Sequence, residues 1–257
     1  MIQRSCYGLM CLIVVCMLGN EASGQTYLKQ IPKSTLTEAQ VKSPPADGLF
    51  FLDIQAPANQ RLTETLNDPI FAGDDLAELP AGEFKTEAGV KYNIGKQFIA
   101  LQGKLAPQRP EKIKLKVDRQ ASALYFLHGC GWGAFGGPGS EHFEKDGTLI
   151  GYYRVNYEDE DYEVIPIVYG KDVRDWWGIW DKFAPTRNSE IVWRGTNKHL
   201  KGRREAKDEP KPLRLFQSIW VNPWPTAKIV SIEYVSTGGT AAPFCVAVSG
   251  YLEPEKK

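Results

Sequence analysis

The chain lacks net charge. Its 31 Lys and Arg residues balance 31 Asp and Glu residues over 257 positions. A neutral surface offers no electrostatic footprint for nucleic acid or an anionic membrane, so neither is expected as a partner. Residues of metal and nucleophile chemistry are scarce: three His and five Cys. His128, His142 and His199 show no i, i+4 spacing, and no HExxH occurs, which speaks against a zinc site. Ser140 and His142 lie close together in GSEH, but no G-x-S-x-G supplies the nucleophile turn of a serine hydrolase. Asp172 with Asp175, Asp159 with Asp161, and Asp74 with Asp75 are carboxylate pairs of the kind glycosidases use. All fall in turns or at strand ends, where acids commonly serve turn chemistry. Long apolar runs are also missing. The longest, LMCLIVVCML (9–18), falls short of the roughly 20 residues that span a bilayer.

That run reads instead as the core of an export signal, with Arg4 before it and Ala22, Ser23 and Gly24 after it. Cleavage is expected after Gly24. Cys16 as a lipidation site lacks the small residue wanted before it, since Val15 stands there. The expected organisation is a signal peptide (1–24), a polar arm (25–47), a β-sandwich domain (48–253) and a charged tail (254–257). Cleavage removes Arg4 and Glu21, so the exported chain stays neutral and keeps no membrane span. Its expected place is the periplasm, the cell surface or the extracellular space. Two cysteines then remain, Cys130 and Cys245. An oxidising compartment would let them form one disulfide. They also suit two small buried side chains with no bond.

Turn formers are plentiful, with 24 Gly and 17 Pro, a balance that fits a strand-rich chain better than alternating βα units. LFFLDI (49–54) is a short apolar run. KYNIG (91–95) and QFIALQG (97–103) read as consecutive strands. In KIKLKV (112–117), Ile113, Leu115 and Val117 alternate with Lys112, Lys114 and Lys116, the pattern of a strand with one wet face. ALYFLHG (123–129) is apolar on both faces and belongs at a sheet centre. TLIGYYRVNYED (148–159) and DYEVIPIVYG (161–170) form a long hairpin across an acidic turn. EIVWRG (190–195), LRLFQSIW (213–220), KIVSIEYVS (228–236) and PFCVAVSG (243–250) bring the total to about ten or eleven strands. Helical signal is confined to LTEAQVK (36–42) and the stretch after Trp176. The expected fold is all-β: a jelly-roll-like sandwich of about ten strands behind a short irregular arm.

GWGAFG (131–136) matches GxGxxG after a strand. A dinucleotide site needs a helix to begin there, yet Gly137, Pro138 and Gly139 follow, so the segment reads as a Gly-rich loop or a binding lid. KGRREAKDEPK (201–211) reads as a solvated mixed-charge insertion. Hard cations take carboxylate oxygens in loops, and Asp53, Asp172 and Asp175 are candidates for a structural calcium; no other cofactor is expected. The densest constellation is IPIVYGKDVRDWWGIW (165–180). There Trp176, Trp177 and Trp180 stand beside Asp172, Arg174 and Asp175. Aromatic faces next to polar groups hold sugar rings, but tryptophans also build sandwich cores and corners.

The motifs LPAG (79–82), GVKYNIG (89–95), LYFLHGCGW (124–132), IGYYRVNYED (150–159), IPIVYGKDVRDWW (165–177), WRGTN (193–197), LRLFQSIWVNP (213–223) and PFCVAV (243–248) follow one another in an order that resembles uncharacterised β-sandwich domains of exported and envelope-associated bacterial proteins. These are similar in outline to galactose-binding-like jelly rolls and to the carbohydrate-binding module called NPCBM. The resemblance covers residues 48–250, with longer loops after Trp132 and Asn197. That group has no assigned ligand, and it is the aromatic set with its polar neighbours that points to non-catalytic recognition of a carbohydrate or another envelope polymer. Trp132, Trp176 and Trp177 would stack on the ligand, and Asp172, Arg174, Asn197 and His128 would hydrogen-bond it. A structural or protein–protein module of the envelope is the second expectation, and a hydrolase of unrecognised type the third. The direction in which Trp176 and Trp177 face separates the first two.

Overall fold

The computed structural model describes residues 31–66, 71–201, 203 and 207–254. The expected signal peptide, the beginning of the arm and the end of the tail lie outside these residues, as does part of the mixed-charge insertion. Among the described residues, thirteen strands form antiparallel sheets. The larger sheet runs in the order β10 (Glu190–Gly195), β11 (Leu213–Val221), β7 (Ala123–Gly131), β13 (Ala242–Tyr251), β5 (Gln97–Ala100), β2 (Gln60–Arg61). β5 occupies only the first half of its edge of β13, with Phe244 opposite Ala100. The second half takes β1 (Leu49–Leu52), with Leu52 opposite Val248. The smaller sheet runs β6 (Lys112–Arg119), β12 (Ile229–Ser236), β8 (Leu149–Tyr157), β9 (Tyr162–Val168), and a separate hairpin joins β3 (Gly82–Lys85) to β4 (Lys91–Ile94).

The runs read as strands form strands. β2 and β3 are additional: the first has two residues and the second is mostly exposed, so neither carries a periodic signal. The two larger sheets face each other across Leu124, Phe126, Phe216 and Val248 on one side and Ile150, Val155 and Ile232 on the other. Tyr153 stacks between Phe126 at 4.0 Å and Tyr234 at 4.6 Å. β6 follows its alternation, with Leu115 in the core and the lysines in solvent.

The outer face of the larger sheet is buried as well. Tyr125, Leu127, Leu215 and Val246 meet a third layer of Leu62, Leu66, Leu76, Leu79, Val90 and Tyr92, contributed by loops and the β3–β4 hairpin. This accounts for a β7 that is buried at every position: a central strand covered on both faces reads as a continuous apolar run. A one-turn helix, α1 (Glu38–Val41), begins at a capping box in which Thr37 and Gln40 satisfy each other's backbone N–H groups. Val41 is buried in the third layer, and its carbonyl accepts the Tyr125 hydroxyl at 2.7 Å. Residues 31–47 therefore pack on the sandwich instead of lying clear of it.

Candidate functional site

The DVRDWW segment fills a split between two strands. β11 and β7 pair as far as Phe216 opposite His128 and then part. Residues 173–178 enter the gap. The Trp176 N–H donates to the Cys130 carbonyl at 2.9 Å, and the Trp176 carbonyl accepts the Arg214 N–H at 2.9 Å. Gly178 N–H donates to the Pro212 carbonyl at 2.9 Å. Backbone groups at the buried end of the sheet are thus satisfied by a guest segment. Trp176 is 0% exposed and meets Phe244 edge-on at 6.2 Å.

Arg214 anchors the segment from within. It is fully buried; its Nε donates to the Asp175 carbonyl at 2.9 Å, its Nη1 to the Ala184 carbonyl at 3.1 Å, and its Nη2 pairs with the Asp181 carboxylate. Arg174 holds the same turn from outside through Asp146 at 2.6 Å and the Pro185 carbonyl at 2.8 Å. Asp175 receives the N–H groups of Trp177 at 2.8 Å and Ala134 at 3.0 Å. Burial pushes its carboxyl up to about 7, against the opposing pull of those two N–H groups and Arg214.

This arrangement corrects much of the expected ligand set. Trp176 closes the sheet and has no free face. Arg174 is buried and spends its guanidinium on the turn. Asn197 is buried, with its amide bonded to Asp74 at 2.9 Å and its carbonyl to the Leu200 N–H at 3.0 Å. Asp172 caps its own turn, accepting the Val168 N–H at 2.8 Å and the Asn188 amide at 3.1 Å. His128 lies inside the sandwich between Tyr153 at 3.1 Å and Ser218 at 2.8 Å, and burial lowers its pKa to about 3, which keeps it neutral. Asp53 accepts the Gln55 N–H at 2.8 Å in a local turn. Asp53, Asp172 and Asp175 do not gather, and no group of three metal-ligating side chains occurs among the described residues. Cys130 and Cys245 are both free and buried. Cys130 stands opposite Pro243 and Cys245 opposite His128, so the two thiols are two positions out of register across β7 and β13. Ser140 and His142 do not meet as nucleophile and base: the Ser140 hydroxyl accepts the His142 backbone N–H at 3.1 Å.

What remains is an aromatic cavity of about 40 Å³, lined by Phe71, Trp132, Phe135, Asp175, Trp177, Trp180 and Arg203. Its five rings close on themselves. Centroids run Phe71 to Trp132 at 6.3 Å, Trp132 to Phe135 at 5.1 Å and Phe135 to Trp180 at 6.3 Å. The circuit continues from Trp180 to Trp177 at 6.5 Å and from Trp177 to Phe71 at 6.3 Å. The Trp177 indole N–H donates to Asp74 at 2.9 Å, which ties this wall to the third layer. Trp132 and Trp180 each bury an indole Nε1 with no partner among the described residues.

Local sequence explains how the rings arrive. Trp132 follows β7 directly and holds φ of 63°, a left-handed conformation that bulky side chains rarely adopt. Lys182 and Phe183, just after Trp180, hold φ of 54° and 57°. Gly133 lets this loop approach Tyr169: a Cβ there would lie 2.5 Å from its ring. GWGAFG is accordingly a cavity-forming loop with no helix after it. Trp132 and Trp177 were expected at a ligand site; Asp175 was expected only at a metal. Phe71, Phe135 and Trp180 are additions. Trp180, three residues after Trp177, and Phe135, three after Trp132, carried a faint spacing signal, whereas Phe71 carried none.

A larger open groove of about 870 Å³ lies between the arm and the end of β6, lined by Leu36, Phe50, Arg119 and Glu253 among others. Its one aromatic, Phe50, is covered by the Arg119 guanidinium 3.4 Å away.

No protein family, no curated protein and no solved structure matches this chain. The fold is an all-β sandwich on its own geometry, and the resemblance to NPCBM-type modules stands on the motif order alone.

Proposed function

We propose that this is a non-catalytic binding module of an exported protein, directed at a carbohydrate or another cell-envelope polymer. Contact would be made through the cavity at Trp132, Trp177 and Trp180. The observation that carries this reading is the closed circuit of five rings around unfilled space beside Asp175. A packing core would fill such a space, because interiors are close-packed and voids destabilise. Indole N–H groups buried without partners add a further cost, as does a tryptophan in a left-handed conformation; such features concentrate at ligand sites. The volume admits roughly three water-sized groups. That suits a substituent on the polymer and is too small for a sugar ring.

The burial of Trp176 favours a second reading, a structural or protein–protein module of the envelope, since that residue closes the sheet. A glycan and envelope-polymer array probed with the wild-type domain and with Trp180→Ala separates the two. Trp180 is half-buried on the cavity wall, so its loss should leave the fold intact and abolish array binding. Equal binding by both proteins would sink the cavity reading.

A further inference from the structure

We propose that the cavity receives an acetamido group, the N-acetyl substituent of an amino sugar in the polymer. This rests on the reading of the cavity as the recognition site and names the chemical class of what enters it.

Three features of the lining decide the class. The walls are apolar, made of Phe71, Trp132, Phe135, Trp177 and Trp180. A methyl group gains from contact with ring carbon wherever on the ring it falls, so this burial does not depend on how each ring is turned. The walls also carry donors that lack acceptors. Trp132 is 5% exposed and Trp180 is half-buried, and the indole Nε1 of each is buried with no partner among the described residues. An indole N–H only donates, so the group that satisfies it must be an acceptor. Trp177 differs, since its indole N–H is already taken by Asp74. The third feature is a buried acceptor, the Asp175 carboxyl. One of its oxygens accepts the Trp177 backbone N–H at 2.8 Å and the other the Ala134 N–H at 3.0 Å. A carboxylate offers about four acceptor positions, which leaves capacity for a further donor.

An acetamido group brings a partner for each feature: a methyl, a carbonyl oxygen and an N–H. Its acetyl part is compact enough for a cavity of about 40 Å³ that admits roughly three water-sized groups. Other groups of this size leave part of the lining unmet. A carboxylate or phosphate would set its charge against Asp175. A bare methyl leaves both indole N–H groups unpaired, a hydroxyl brings no apolar end, and an acetate ester brings no N–H. The lining reaches solvent at Arg203, which is exposed, and at Trp180. A sugar ring can therefore stay outside while its substituent enters.

The test is a tryptophan-fluorescence and calorimetric titration of the wild-type protein with matched tetrasaccharides. Tetra-N-acetylchitotetraose carries the acetamido group at the position where cellotetraose carries a hydroxyl. An O-acetylated cellotetraose, N-acetylgalactosamine, N-acetylmuramic acid and an acetyl-lysine peptide complete the set. The N-acetyl tetrasaccharide should saturate the signal and bind about tenfold or more tightly than cellotetraose. The ester should bind less tightly than the amide. Trp180→Phe, checked for folding by circular dichroism, keeps an aromatic wall and loses the indole N–H. It should weaken the N-acetyl ligand by about fivefold and leave any cellotetraose binding unchanged. A merely structural role for Trp180 would weaken both alike. Equal affinity for the acetamide and the hydroxyl or ester forms overturns the inference, as does no saturation by any of the N-acetyl sugars up to roughly 10 mM. An acetyl-lysine peptide that binds as tightly as the tetrasaccharide overturns the sugar as its carrier. If a polymer without acetamido groups binds wild type but not Trp180→Ala, the recognition site stands and only its acetamido chemistry falls. If a polymer binds both proteins alike, the two fall together.

Discussion

Asp175 and His128 are both buried, and burial moves their protonation in opposite directions. The Asp175 carboxyl is raised from 3.8 to about 7, and the His128 imidazole is lowered from 6.5 to about 3. The raised carboxyl contributes stability that is present below pH 3.8 and lost as pH rises through about 7. The lowered imidazole does the reverse: the unfolded chain takes up a proton below pH 6.5 and the folded one does not, so stability is lost as pH falls from 6.5 toward 3. The two nearly offset each other in the wild type. In Asp175→Asn the balance is gone. The stability of the variant relative to wild type should rise by roughly 1.4 kcal/mol per pH unit between about pH 4 and 7. Urea unfolding at a series of pH values measures this, and a flat difference would contradict the burial argument for Asp175, which sits among Asp181, Arg214 and Cys130. The cysteines make a second residue-scale prediction. Burial raises both thiols, Cys245 to about 12, and no bond joins them. The folded protein should resist thiol reagents, and both thiols should react once it is unfolded. A mass two protons lower with no reaction in denaturant would indicate a disulfide. Side-chain direction at this scale was the least legible part of the sequence. Trp176 and Trp177 are identical neighbours, yet the one closes a sheet and the other lines a cavity.

At the scale of elements, the guest segment between β7 and β11 depends on Arg214. Its three partners, the Asp175 carbonyl, the Ala184 carbonyl and the Asp181 carboxylate, all belong to the inserted loop. Arg214→Ala removes the closer of the two cations beside the buried Asp181 carboxylate and leaves only Arg174, 3.9 Å away; breaking such a buried pair typically costs about 3–5 kcal/mol. An unfolding midpoint unchanged from wild type would remove Arg214 from this role. Gly133→Ala should be costly for its size, about 1–3 kcal/mol, because the new Cβ would collide with Tyr169. The strands themselves were legible because their periodicity is local: the Lys-separated alternation of β6 and the unbroken apolar run of β7 each announce how many faces are covered. The split between β7 and β11 was not legible. It arises from a segment some forty residues away in sequence from each strand, roughly speaking, and no pattern within either strand marks it. Phe71 reaches the cavity from a third-layer loop for the same reason.

At the scale of the whole molecule, three layers share the larger sheet, and the arm is fastened to the outermost through Val41 and Tyr125. Removing residues 31–47 should lower stability by about 2–4 kcal/mol, the loss of one buried aliphatic side chain, one buried hydrogen bond and the surface they shelter. An unchanged urea midpoint in the shortened domain would show that the arm contributes nothing. The all-β architecture was readable from composition and periodicity, while the third layer was not, since its leucines lie in loops without regular spacing. The functional claim belongs to this scale too, because loops from three separate parts of the chain supply the five rings. Its most direct measurement is the indole N–H region of a nitrogen-correlated NMR spectrum, where the seven tryptophans report separately. Adding a glycan or envelope-polymer fragment that binds on the array should shift the Trp132 and Trp180 signals, with a smaller effect on Trp177, and leave Trp193, Trp220 and Trp224 in place. Shifts confined to the latter three, or no shift at all, would contradict recognition through the cavity.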